Sequence, residues 1–140
     1  MRPRSSTLAI VEKCYRIVRQ IDESALEGYE ITMREAMILD AITQGASDVP
    51  SIAARLGVST HASKQIIERM EARRIVQKVK VQGRRAFAIG ITEEGRRIFD
   101  HYRTLDKQTS SEVERRLGAE AVRLIARLGQ LLSEQPDVWL

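Results

Sequence analysis

Very little in this 140-residue sequence is suited to covalent or metal chemistry. It holds one cysteine, so no intrachain disulfide framework is available, and a lone thiol suits a reducing compartment. Its two histidines lie far from that cysteine in sequence and give no metal-ligand spacing. Aromatic residues make up 4%, too few for a platform on which single-stranded bases stack. No nucleophile, base and orienting residue occur together, and no glycine loop suited to cradling phosphate is present, which argues against an enzyme. Long apolar runs are missing as well. None approaches the ~18 residues of a membrane span, and Met1–Ser6 is too short and polar for a signal peptide. These absences lead to the expectation of a soluble, cytoplasmic protein with no metal and no cofactor.

What is present is a globular, helix-rich composition, with 43% hydrophobic residues and only three prolines. The formal net charge is +4, a weak pointer to polyanions when averaged over the chain. Its distribution says more. Between Ser59 and Ala86, eight basic residues (Lys64, Arg69, Arg73, Arg74, Lys78, Lys80, Arg84, Arg85) stand against Glu68 and Glu71, an excess of six, which leaves the rest of the chain at minus two. A solvated helix face usually mixes signs, as Glu112 to Arg127 does; this stretch does not.

The hydrophobic period organises the chain. From Leu8 to about Leu26, Ile10, Val11, Cys14, Ile17, Val18, Ile21 and Ala25 recur in steps of three and four, the mark of an amphipathic helix that Gly28 would end. Thr32 and Glu35 form a capping box for a second helix burying Ala36, Ile38, Leu39 and Ile42 and stopping near Gly45. Asp48 and Pro50 open a third, ending near Leu56. Ser59 caps a fourth that runs to Arg73. Between Val76 and Ile91 the period changes to two, and two short strands around a Gly-Arg-Arg tip predict a hairpin. Thr92 then caps a helix with Glu93 and Glu94 in its first turn and Ile98, Tyr102, Leu105 and Val113 on its apolar side. After a break at Gly118, Leu117, Ala121, Leu124, Leu128 and Leu131 continue at helical steps to about Ser133.

Residues 48–92 therefore read as a helix-turn-helix followed by a basic wing. Ile52, Ala53, Leu56, Gly57, Val58 and Ile66 supply the small and aliphatic contacts that two steeply crossing helices need, and Gly57 stands where the chain must turn through positive φ. The expected fold class is mainly α, with a two-stranded β wing: a winged helix-turn-helix over residues 31–92, and helices at 7–28 and 93–134 forming a dimerisation region of the same integrated domain. A winged-helix core of roughly 60 residues can bury its own interior, so the terminal amphipathic helices need a further apolar surface. A second copy related by a two-fold axis supplies it most economically, with Ile10, Cys14, Ile17, Ile21, Leu117, Leu124, Leu128 and Leu131 as the interface; a single helical lid on one monomer is the alternative.

The chain resembles the MarR family of winged-helix transcriptional regulators. The resemblance is carried by Ile31-Thr32, by Ile52-Ala53-Ala54-Arg55-Leu56-Gly57-Val58-Ser59, by Arg69-Met70-Glu71 leading to Ile75-Val76, by Arg84-Arg85, and by Ile91-Thr92-Glu93-Glu94-Gly95, which is similar to the family's Leu-Thr-x-x-Gly signature. It implies an obligate homodimer, an interface built from helices at both termini, and double-stranded DNA as ligand. There are departures. Gly83 stands where the wing usually bears an aspartate that orients its arginine; Arg74 replaces a glycine closing the recognition helix; Ser63 occupies a position that is usually aliphatic.

On this reading the fourth helix enters a major groove with Ser59, Thr60, His61, Lys64, Gln65 and Arg69 outward, where Gln65 suits adenine and Lys64 suits guanine or phosphate. Arg84 and Arg85 reach a narrow minor groove, while Lys78 and Lys80 add sequence-independent attraction. The expected function is a dimeric repressor released by a small-molecule effector. Arg16, Arg19 and Tyr29 are candidates to line an effector crevice and read equally well as surface residues. Two other readings compete: a winged-helix module that binds an acidic protein, and a redox-sensing regulator acting through Cys14.

Overall fold

The computed structural model describes residues 6–26 and 30–134, and the side chains of Val18, residues 21–26, Leu132 and Ser133 lie outside that description. Gly28 and Tyr29, and the side chain of Ile21, therefore fall beyond what can be compared. In chain order the elements are α1 (Thr7–Leu26), α2 (Met33–Thr43), α3 (Val49–Leu56), α4 (Thr60–Ala72), β1 (Val76–Lys80), β2 (Phe87–Ile91), α5 (Glu93–Leu117) and α6 (Ala119–Glu134). They distribute over two compact units, residues 1–102 and residues 103–140.

The first unit is built around α2, α3, α4 and the hairpin. The Thr32/Glu35 capping box forms as expected, with the Thr32 hydroxyl accepting from the Glu35 N–H at 3.2 Å and Glu35 Oε2 accepting from the Thr32 N–H at 3.1 Å. Asp48 caps α3, its carboxylate accepting from Ser51 N–H at 2.8 Å, and Gly57 ends that helix at φ 67, a left-handed conformation that costs glycine no Cβ clash. Ile38, Leu39, Ile52, Met70, Ile75 and Val76 are fully buried in one core that Ile31, Ile66, Ile67, Ile89, Ile98 and Phe99 extend. Each such side chain taken from water contributes about 1.5–3 kcal/mol, so this core fixes where α4 and the hairpin sit.

β1 and β2 pair antiparallel in the register Val76 with Ile91, Gln77 with Gly90, Lys78 with Ile89, Val79 with Ala88 and Lys80 with Phe87. Val76, Ile89 and Ile91 face the core, and the Ile89 N–H donates to the Ser47 carbonyl at 2.8 Å, which fastens β2 to the loop before α3. The wing is thus anchored at its base while its far end stands clear. In α1, by contrast, Leu8, Ile10, Val11, Tyr15 and Ile17 of the apolar stripe are exposed, and so is Cys14.

In the second unit Gly118 takes φ 85, breaking α5 from α6. Glu112 accepts from both Arg115 and Arg116, at 2.7 Å and 2.8 Å for the closest pairs, which braces the end of α5. Val113, Ala121 and Val122 are half-buried, whereas Leu117, Leu124, Ile125, Leu128 and Leu131 are exposed.

Candidate nucleic-acid interface

The geometry of α4 follows from its sequence period. Ser63, Ile66, Ile67 and Met70 are buried, and the residues between them, Thr60, His61, Lys64, Gln65, Glu68 and Arg69, are exposed. Ser59 is exposed and caps the helix, its hydroxyl oxygen accepting from Ala62 N–H at 3.1 Å, which leaves its own proton for an outside acceptor. All six major-groove candidates thus lie on the uncovered side of one helix. Gln65 Nε2 and His61 Nε2 sit 3.2 Å apart across one turn of the helix. Lys64 lies 4.0 Å from Glu68, both well solvated, a pair too weak to restrain either.

The far end of α4 is tied down. The helix closes at Arg73, and the Arg73 guanidinium donates to both oxygens of Glu35 at 2.9 Å and 3.0 Å and to the Glu30 carbonyl. Glu35 is buried, so this charge-assisted pair joins the end of α4 to the entry of α2. Neither partner figures among the candidate site residues from sequence, because a contact spanning 38 positions leaves no local signal. Arg74 follows at φ 60, the only non-glycine residue with positive φ among the described residues. The departure at the family's glycine position is therefore a conformational strain of about 1 kcal/mol. Ser63 Oγ is buried with no hydrogen-bond partner, the softer helix contact expected of a hydroxyl in an aliphatic site.

At the wing, Lys78, Lys80, Arg84 and Arg85 are all exposed. Gly83 at φ 81 makes the tip turn, with the Arg84 N–H donating to the Val81 carbonyl at 3.1 Å. Asp48 at the N-cap of α3 is held below the usual carboxylate range first by the hydrogen bonds from the Ser51 N–H and hydroxyl, with a smaller contribution from the Arg84 charge. Thr92 secures the wing base: its hydroxyl donates to the Arg74 carbonyl at 2.6 Å and accepts from Gly95 N–H at 2.9 Å. An open groove of about 720 Å³ lies there, lined by Glu71, Arg74, Gln77, Glu93, Glu94 and Arg97 among others. Arg97 in its wall pairs with Glu94, also lining it, at 2.5 Å and with Glu30 outside it at 3.1 Å. Among the described residues no group of three or more metal-ligating side chains comes together, and no helix is long and apolar enough to cross a membrane.

No protein-family model matches the chain, and no curated protein matches its sequence. Solved structures do match its fold over nearly their whole length. BpsR of Bordetella bronchiseptica, whose structure concerns regulation of DNA binding by 6-hydroxynicotinic acid, is 15% identical with a TM-score of 0.82 over 95% of this chain and 96% of that one. MepR of S. aureus, solved with DNA, is 16% identical with a TM-score of 0.77 over 92% and 96%. A MarR family protein of Mycobacterium tuberculosis solved with salicylic acid is 16% identical with a TM-score of 0.70 over 94% and 99%. The fold is that of these winged-helix regulators.

Proposed function

We propose that this chain is a MarR-family transcriptional regulator that binds double-stranded DNA as a homodimer. The observation that carries the reading is the coincidence, on this fold, of an uncovered recognition face with a cationic hairpin tip: every cation of the α4 outer face and wing candidate set is exposed, and none is spent in a buried ion pair. In this arrangement Gln65 and Lys64 reach base edges, Ser59 and Thr60 meet phosphate, Arg69 lies further along the same face, and Arg84 and Arg85 enter the flanking minor groove. The exposed apolar faces of α1 and α6 support a second copy, since a soluble chain rarely leaves such stripes in water. Two copies would hold their recognition helices about one DNA turn apart, ~34–36 Å.

The repressor role and its release by a small anionic or phenolic effector rest on the resemblance; the 6-hydroxynicotinic acid that regulates DNA binding by BpsR and the salicylic acid bound to the M. tuberculosis protein favour that ligand class. Selection of bound fragments from random duplex DNA tests the reading. A two-fold symmetric motif is expected; no enrichment, with duplex failing to compete for an acidic protein partner, would favour the protein-binding module instead.

A further inference from the structure

The hairpin carries one large apolar side chain in an unexpected place. Phe87 opens β2, pairs with Lys80, and shares a face with the buried Ile89, yet its own side chain is 56% exposed because the hairpin has by then run past the core. An aromatic ring left in water is a contact awaiting a partner. The same hairpin bears four exposed cations, Lys80 directly opposite in the register, Lys78 two residues back, and Arg84 and Arg85 at the tip. A purely apolar protein surface closing on the ring would have to desolvate those charges without compensation. A DNA minor groove would not, because it pairs a negative potential with walls made of deoxyribose.

Distance decides how the ring would meet those walls. Two residues of chain span at most ~7 Å, so Phe87 stands no further behind Arg85 than the ~7.5 Å depth of the groove. With the arginine at the floor, the ring is therefore carried no higher than the groove's mouth, where its walls are sugar. Lys80, directly across the hairpin, is then level with the phosphates, while Lys78 remains outside.

Resting on the DNA-binding reading, we propose that Phe87 is a minor-groove contact, packing against the deoxyribose wall and setting how deeply the wing inserts. The contact is apolar and releases no counterion, so it contributes to affinity without contributing to salt dependence. Titration of fluorescent operator duplex with the full-length protein, from ~50 to ~200 mM salt, separates the two kinds of contact. Phe87→Ala is expected to weaken binding about tenfold at every salt concentration with an unchanged slope, and Phe87→Leu to recover most of the loss. Lys80→Ala, by contrast, should lower the slope by about one. Because Phe87 is exposed, its variants should melt with the wild type. Replacing flanking guanines by inosine, which removes the amino group from the groove floor, should strengthen wild-type binding more than that of Phe87→Ala. If the wild type binds operator and Phe87→Ala binds equally well, or changes the slope in place of the affinity, this proposal falls alone. If the wild type binds no duplex, the parent reading falls with it.

Discussion

Gly95 shows how one residue holds the site together. A Cβ there would lie 2.0 Å from the Ile75 carbonyl oxygen, far inside contact distance, and that oxygen already accepts from the Thr92 N–H. Neither backbone segment can yield without opening the wing base, so Gly95→Ala should destabilise the fold by about 3 kcal/mol or more, read from a denaturant midpoint. Arg74 presents the opposite case. Its positive φ is strained and, among the described residues, its side chain makes no hydrogen bond, so Arg74→Gly is expected to raise stability by about 1 kcal/mol. An unchanged or lower denaturant midpoint would show that the arginine side chain offsets the strain. Sequence reading reached both positions through the motif it matched; the reason for the glycine, close approach rather than turning, became visible only with the Ile75 carbonyl in place.

At the scale of elements, α4 is held at both ends by groups outside it. Its N-terminus is set by the turn at Gly57 and the Ser59 cap, and its C-terminus by Arg73 on Glu35. Arg73→Ala leaves a buried carboxylate with only its capping-box bond, and should cost about 1–3 kcal/mol in unfolding while also weakening operator binding, since the helix loses its far anchor. Loss of stability with operator affinity intact would separate the anchor from DNA binding. The cap of α3 adds a pH dependence. Folding holds Asp48 below the ordinary carboxylate range, so its contribution is complete above that range and is lost as pH falls through the lowered value. Asp48→Asn keeps a capping side chain that does not titrate, and its melting temperature should therefore fall less between pH 6 and pH 3 than that of the wild type.

Across the whole molecule, unsatisfied apolar surface is the dominant feature. Leu124, Ile125, Leu128 and Leu131 expose 44–61% of their surface along α6, and Leu8, Ile10, Val11 and Ile17 expose 42–82% along α1. The proposed homodimer would bury them. Replacing Leu124 and Leu128 together by lysine should yield a monomer in sedimentation velocity, still helical, with operator affinity reduced to that of a single half-site. A double variant that sediments like the wild type would place the interface elsewhere. Cys14 lies exposed on α1, so a redox role predicts that operator binding falls on oxidant titration and that Cys14→Ser abolishes the response.

The sequence alone determined where the helices begin and end, the winged-helix order, and which face of α4 is buried, because caps, glycine turns and apolar period are properties of neighbours within a few residues. Its outward cations were legible for the same reason. The Arg73–Glu35 anchor, the carbonyl that excludes a side chain at Gly95 and the exposure of Phe87 were decided by the tertiary structure. Each depends on distances between residues far apart in the chain, and for Phe87 on where the core stops beneath the strand, which no local pattern encodes.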